Sequence, residues 1–524
     1  MRNAVTTEKE EVVSLMPDAT SISSVRDRRW WILGVVGLAQ LMVVLDATIV
    51  NIALPSAQRA LGFSNTDRQW VVTAYALAFG GLLLLGGRLS DLVGRRRMLI
   101  IGLVGFAAAS ALGGAANSFA VLVIGRGAQG AFGALLAPAA LSTLTVTFTD
   151  PAERGRAFGV YGAIAGAGGA VGLLLGGVLT EYLSWRWCLY VNVILAVIAV
   201  AGAVRLLAPQ PRDPDVRIDW PGTVLSVAGL VAVVYGLSEA ATKSWSAPET
   251  IVLLVAGVVL LAAFVLVEQR VQHPLLPLRI VLNRFRGGAY LAIGLSAIGV
   301  FGIFLFLTYY VQLTLGYSPV KSGLAFLPMI AAILATSTIS SGVLLPRTGP
   351  RPLLPAGLLV MAGGLALLAA RLGLRTSYLD WILPSLILTG AGLGLVFGST
   401  LNTATYGTAT EDAGAASALV NTNQQVGGSI GTALLNTLAA SALTSYVLAH
   451  GRGPLVLAQA AVHSYVVGFW VSAAILAGSA VVCALVLPSG TLAPATGQAA
   501  PPAAPAAPAA QPSEEMSARD PRAV

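Results

Sequence analysis

An aspartate stands at position 46 within an unbroken apolar run, Trp30 to Ile52, in the stretch Leu45-Asp46-Ala47-Thr48-Ile49-Val50-Asn51-Ile52-Ala53-Leu54-Pro55. An ionisable side chain in such a setting costs several kcal/mol to insert. It marks a pathway or a proton relay, or else a structural charge satisfied by a partner. Arg126 is the one Lys or Arg that lies well inside an apolar run, and it is the matching partner. Counting from the start of the first run puts Asp46 about 24 Å along a helix. Arg126, on a run returning from the other side, is about 10 Å deep, so both fall in the outer half. A neighbouring cation lowers a carboxyl's proton affinity and burial raises it, so such a pair can exchange proton binding for helix position or ligand binding.

Four further groups carry chemistry or mechanics. Gly87, Leu89, Asp91, Gly94 and Arg95, followed by Arg96 and Arg97, sit at fixed offsets in a short loop. Gly94 permits a tight turn, and Asp91 can accept from free N–H groups at a helix start, so the loop can latch one bundle to another. Gly168, Gly172 and Gly176 recur every fourth residue, with Gly177 beside them. That face suits close helix contact or a hinge. Asn421-Thr422-Asn423-Gln424-Gln425 exceeds one helical turn, so Asn423, Gln424 and Gln425 meet other helices or a cavity. Trp70, Tyr75, Tyr309, Tyr310 and Gln312 are cavity candidates, with packing or interfacial anchoring as the alternative.

These residues need membrane helices to hold them. Of the 524 residues, 56% are hydrophobic and 10% charged, against about 25% charged in soluble chains. The apolar runs are each long enough to cross about 30 Å of hydrocarbon. Spans are expected near 30–52, 70–88, 97–116, 119–146, 157–180, 186–207, 220–238, 250–269, 287–314, 322–345, 352–371, 379–400, 417–444 and 465–488. Residues 1–29 lack the apolar core of a cleavable signal. Lys and Arg gather on the side that holds both termini, which places the termini in the cytoplasm. The net charge of +8 is accounted for by these span-end arginines and does not point to nucleic acid. Cys188 and Cys483 both fall in spans and suggest neither disulfide nor metal cluster. No phosphate-cradling loop is present, and His273, His450 and His463 lack ligand spacing, so no enzyme, metal or cofactor is expected.

Gly342 to Arg351 after the tenth span echoes Gly87 to Arg95 after the second. This faint repeat suggests two halves with a site between them, as in secondary transporters. The expected division is a cytoplasmic tail at 1–29, a six-helix bundle at 30–207, a linker with two additional spans at 208–286, a second six-helix bundle at 287–488, and a disordered Ala/Pro-rich tail at 489–524.

The loop at 87–99 resembles the cytoplasmic signature G-x-L-x-D-x-x-G-R-[RK] of the major facilitator superfamily. Residues 45–55 and Leu122 to Gly130 resemble the span-1 and span-4 signatures of its fourteen-span drug:proton antiporter branch, and Trp185-Arg186-Trp187 with Asn192 also resembles that branch. The likeness covers residues 30–490. It implies an all-α polytopic fold of two six-helix bundles plus two additional central spans, and a proton-coupled exporter of small lipophilic or cationic compounds such as antibiotics, working by alternating access. In that family the span-4 arginine is implicated in proton transfer, which here points to Arg126. The implied partners are a small-molecule substrate, protons and the lipid bilayer of a bacterial inner membrane, with the chain acting as a monomer. Leu173 stands where the antiporter signature has proline, which removes a fixed bend. Some relatives that export divalent cations carry an extra acid in span 10; none lies between Ser322 and Leu345 here, so the resemblance implies a monovalent or neutral lipophilic substrate. Two other readings stand beside this one: a dedicated exporter of a self-made metabolite or lipid precursor, and a non-transporting sensor or scaffold, against which the costly Asp46 argues.

Overall fold

The computed structural model describes residues 19–148, 150–208, 218–271, 274–276, 278–406 and 413–490. The tails and most of the linker at 208–219 lie outside these residues. With no water in a bilayer core, each backbone N–H and C=O must bond within its own segment, so apolar runs of this length become helices. Fourteen long helices result: α1 (Ala19–Leu61), α2 (Gln69–Val93), α3 (Arg95–Gly114), α4 (Phe119–Thr147), α5 (Pro151–Tyr182), α6 (Trp187–Leu206), α7 (Trp220–Thr242), α8 (Pro248–Glu268), α9 (Arg284–Tyr309), α10 (Pro319–Ile339), α11 (Pro350–Arg371), α12 (Leu383–Ala404), α13 (Ala413–His450) and α14 (Pro454–Val486). Among the described residues, thirteen are long and apolar enough to cross a membrane, which agrees approximately with the fourteen expected spans. The remaining helix, α5, has 32 residues, and several of its side chains lie outside the described ones. Helices α1 and α13 overrun the expected spans at both ends, because hydrogen bonding continues past the apolar stretch.

The repeat is visible in the backbone. Gly94 (φ 97°) separates α2 from α3, and Gly349 (φ 75°) separates α10 from α11. A left-handed turn at these points favours glycine. Arginines in the N-terminal parts of α1 and α9 do the same work in each half. Arg28 Nη2 donates to Leu206 O (3.1 Å) at the end of α6, and Arg284 Nε donates to Val486 O (3.1 Å) at the end of α14. A cation at a helix C-terminus satisfies free carbonyls and offsets the helix dipole. This end, which also carries both described chain ends, is called the near end below.

Helices α1 to α6 pack into one bundle and α9 to α14 into the other, while α7 and α8 form a hairpin that touches α2 and α13. On the hairpin α8 turns Val252, Val255, Val258 and Val259 outward. The bundles meet along α5–α10 and α2–α13. One apolar core runs through the second bundle and the far half of the first, whereas the near half of the first bundle keeps a separate core around Leu99, Phe106 and Phe148. Hydrogen bonds join the bundles at the far end. Tyr309 Oη donates to Gln58 Oε1 (2.5 Å), Gln312 Nε2 to Ile52 O (3.1 Å), Val320 N to Glu181 Oε2 (2.9 Å) and Asn436 Nδ2 to Thr66 O (3.3 Å). The Arg68 guanidinium lies 4.2 Å from the Tyr309 ring centre in the same seam.

Candidate functional site: a caged carboxylate

Asp46 is fully buried, midway along α1. Arg126 of α4 is 1% exposed, and its Nη1 lies 2.6 Å from Asp46 Oδ2. The other carboxylate oxygen accepts from Gln129 Nε2 (2.9 Å) and Asn192 Nδ2 (2.8 Å). Gln129 is three residues after Arg126, so one face of α4 delivers both groups. Its Oε1 accepts from Arg126 Nη1 (3.0 Å), and its Nε2 also reaches Ser110 Oγ on α3 (2.6 Å). Arg126 Nε donates to Val71 O on α2 (2.9 Å), and the guanidinium sits 4.5 Å from the Tyr75 ring centre. Glycines make the approach possible. A methyl group on Gly125 would fall 3.0 Å from Gly113 of α3, and one on Gly130 would collide with Tyr75 O of α2.

A charge pair out of water survives only when its remaining hydrogen-bonding capacity is met. Here three donors surround one carboxylate. Arginine does not deprotonate in proteins, so Asp46 is the member of the pair whose charge can change. Asn192 Oδ1 is buried without a partner. The cage can therefore hold an ionised carboxylate in the bundle core and offers an amide acceptor if that carboxyl takes a proton.

Asp46 and Arg126 were expected at similar depth, and the structure brings them into contact. Gln129 and Ser110 were not singled out. The offset of three from Arg126 was the available signal for Gln129, whereas nothing in the sequence ties Ser110 to the group.

The glycine face of α5 resolves into two contacts. Gly168 faces Leu41 and Val44, Gly172 faces Thr48, and Gly176 faces Ile49, all on α1 and flanking Asp46 along that helix. Gly177 and Leu173 face the second bundle instead: a methyl on Gly177 would sit 2.8 Å from Pro319 O, and one on Gly323 would sit 2.5 Å from Leu173 O. Leu173, in the position of the family's proline, is fully buried in this seam. One helix thus links the acid-bearing α1 to α10 of the other bundle.

In the near-end loop, Gly94 makes the break, Arg95 is half-buried, and Arg96 Nη2 donates to Val204 O (2.9 Å). Gly87 approaches Pro138 of α4, and Arg88 Nη2 donates to Pro274 O (3.0 Å) in the loop after α8. The side chain of Asp91 lies outside the described residues.

The cavity candidates do not share one wall. Trp70 packs at a tilt against Tyr235 of α7 (5.9 Å between ring centres), because α2 turns that face to the hairpin. Tyr75 is 3% exposed, under Arg126 inside the first bundle. Tyr309 and Gln312 belong to the far-end seam. Asn423 and Gln425 do lie where α13 meets the neighbouring helices: Asn423 borders Gly294 of α9, and a methyl on Gly80 of α2 would fall 2.9 Å from Gln425 Cβ. Gln425 Oε1 and Thr422 Oγ1 are buried without partners there, and Gln424 is half-buried.

Comparison with known proteins places this geometry. The Major Facilitator Superfamily model matches residues 36–432. A puromycin resistance protein of Streptomyces alboniger is 50% identical over 92% of this chain and 96% of its own length. A cephamycin export protein of Amycolatopsis lactamdurans is 40% identical over 77% and 83%, and a lincomycin resistance protein of Streptomyces lincolnensis is 33% identical over 78% and 83%. Among solved structures, a POT family transporter superposes with a TM-score of 0.64 at 14% identity, covering 88% of this chain and 97% of that one. A bacterial homologue of the lysosomal transporter Spinster gives 0.60 at 16%, over 88% and 97%. The fold, the two bundles and the family match agree: this chain belongs to the major facilitator superfamily.

Proposed function

We propose that this protein exports small lipophilic or cationic compounds in exchange for protons, and that Asp46 is the group that carries the proton. The observation that bears most weight is the Asp46 cage, a titratable acid held by Arg126, Gln129 and Asn192 inside a transporter bundle. The relatives named for resistance to puromycin and lincomycin and for export of cephamycin support the direction and the substrate class.

The arginine-rich near end is taken as cytoplasmic, with both termini there and the chain in a bacterial inner membrane. In that orientation the far end, where hydrogen bonds tie the two bundles together, is the outer gate. A proton reaching Asp46 cancels its charge and removes the counter-ion of Arg126, which keeps the Val71 carbonyl, the Gln129 oxygen and the Tyr75 face. The protonated carboxyl becomes a donor, and the Asn192 amide, turned over, accepts from it. The change is felt at α1, which rests on Gly172 and Gly176 of α5, and α5 in turn meets α10. Rocking of the bundles about residues 30–207 and 287–488 then alternates access. Asn423, Gln424 and Gln425 would contact substrate between the halves. Gly87, Asp91, Gly94, Arg95 and Arg96 would latch the near end in the outward-open state. The site lies within one chain, so a monomer suffices.

The test is counterflow in proteoliposomes with an imposed pH gradient, using puromycin first. Wild type is expected to concentrate the drug against its gradient while releasing protons. Asp46→Asn is expected to fold normally and lose pH-driven accumulation. Undiminished pH-driven accumulation by that variant would refute the assignment.

A further inference from the structure

A second pair of acids lies at the near end of the α7–α8 hairpin, away from the cage. Asp219 caps α7, its Oδ1 accepting from Gly222 N (2.8 Å). Glu268 closes α8, its Oε2 accepting from Leu276 N (2.9 Å). The two residues are 5% and 4% exposed. Each keeps one oxygen, Asp219 Oδ2 and Glu268 Oε1, buried without a hydrogen-bond donor. Both oxygens converge on Gly222, where an added methyl would collide with the first and fall 2.6 Å from the second. Lying 2.3 and 2.6 Å from that same point, the two oxygens are at most 4.9 Å apart. Two ionised carboxylates are acceptors only, and a hydrogen bond between them requires a proton on one.

We propose that Asp219 and Glu268 are a second proton-binding site, a carboxyl–carboxylate pair that holds one proton between them and ties the hairpin to the loop after α8. A metal is the poorer occupant. The pair offers one free oxygen per residue, and among the described residues no group of three or more His, Cys, Asp or Glu gathers to ligate one. The charges around the pair do not replace the proton. Of the helices packed on this corner, α2 brings Arg88, which is engaged at Pro274 O. Among its described residues α13 has no charged side chain near this end, and the distal Glu239 and Glu249 lie at the far ends of α7 and α8. Arg270, on the loop itself, is exposed.

The arrangement has a mechanical consequence. Glu268 holds Leu276, Arg88 holds Pro274, and Leu275 packs with Leu85 and Phe264. The short loop after α8 is thus pinned from both the hairpin and the near-end signature loop. Loss of the proton leaves two like charges facing each other across Gly222, which drives the ends of α7 and α8 apart and frees the loop. The hairpin thereby senses cytoplasmic pH where the other twelve spans rock.

The experiment is infrared titration of the full-length protein in nanodiscs, in an Asp46→Asn background so that the caged acid is silent. At neutral pH one protonated-carboxyl C=O band is expected, and it should vanish on raising the pH. The same band should be missing from Glu268→Gln and, independently, from Asp219→Asn. Each replacement keeps the side-chain size and gives the remaining carboxylate an amide donor, so the result does not hang on one variant folding. Absence of the band from the Asp46→Asn protein at neutral pH, or its survival unchanged in both variants, would overturn the proposal. So would its removal at constant pH by sodium or potassium, which would make a cation the occupant.

Discussion

Asp46 and the Asp219–Glu268 pair are both carboxyl chemistry taken out of water, and the protein treats them in opposite ways. Around Asp46, three helices of the same bundle supply an arginine, two amides and a serine that braces one of them. At the hairpin corner, two acids meet with a single backbone N–H each and no cation between them. A carboxylate rich in donors can stay ionised, and two carboxylates short of donors must share a proton. The lesson is that burial alone does not set the charge of an intramembrane acid. The donors that the neighbouring helices bring decide it.

The comparison can be broken from either side. The largest effect is expected from Arg126→Leu, which leaves Asp46 with two amide donors but no cation and no second acid to share a proton. Removing one member of a buried pair costs about 3–5 kcal/mol. Thermal unfolding in detergent should show it, and adding Asp46→Asn should restore part of the loss. A wild-type melting temperature for Arg126→Leu would mean that the pair is not what holds these helices.

Asn192→Leu takes away one neutral donor to a charged acceptor, expected to cost about 1.5–3 kcal/mol by the same measurement. At the corner, Gly222→Ala pushes a methyl between the two facing oxygens. Overpacking of this kind costs about 1–3 kcal/mol, and here it should also remove the shared-proton infrared band. Gly127→Ala, with no atom within 4 Å of the new methyl, is the matched control and should melt as wild type. The smallest effect is expected from Ser110→Ala, which leaves all three donors on Asp46 and frees only a brace on Gln129. A loss of about 0.5–1.5 kcal/mol is the range for one neutral hydrogen bond. A larger loss would show that Gln129 cannot hold its place without Ser110.

Much of this was legible beforehand, for identifiable reasons. Apolar runs in a chain with 10% charged residues admit only membrane helices, and an even number of crossings puts both ends on one side. The pairing of Asp46 with Arg126 followed from depth along helices of known rise. The glycines of α5 were ambiguous between packing and hinge, since spacing shows that a face is smooth but not what rests on it. The structure assigns Gly168, Gly172 and Gly176 to α1, and Gly177 to α10. Trp70, Tyr75 and Gln312 were grouped by residue type, yet they belong to three different interfaces, because amphipathic side chains suit a seam as well as a cavity.

The sequence by itself determined the helices, the near-end arginines, the internal repeat and the presence of a costly acid opposite a lone base. These follow from local composition and periodicity, which act within one segment. Tertiary structure alone decided that Gln129 and Asn192 close around Asp46 with Ser110 bracing Gln129, that hydrogen bonds tie the bundles together at the far end, and that Asp219 faces Glu268 across Gly222. Each of those depends on rotation and approach between helices remote in the chain. That geometry is fixed by which small residues let two backbones come close, and no single segment carries it.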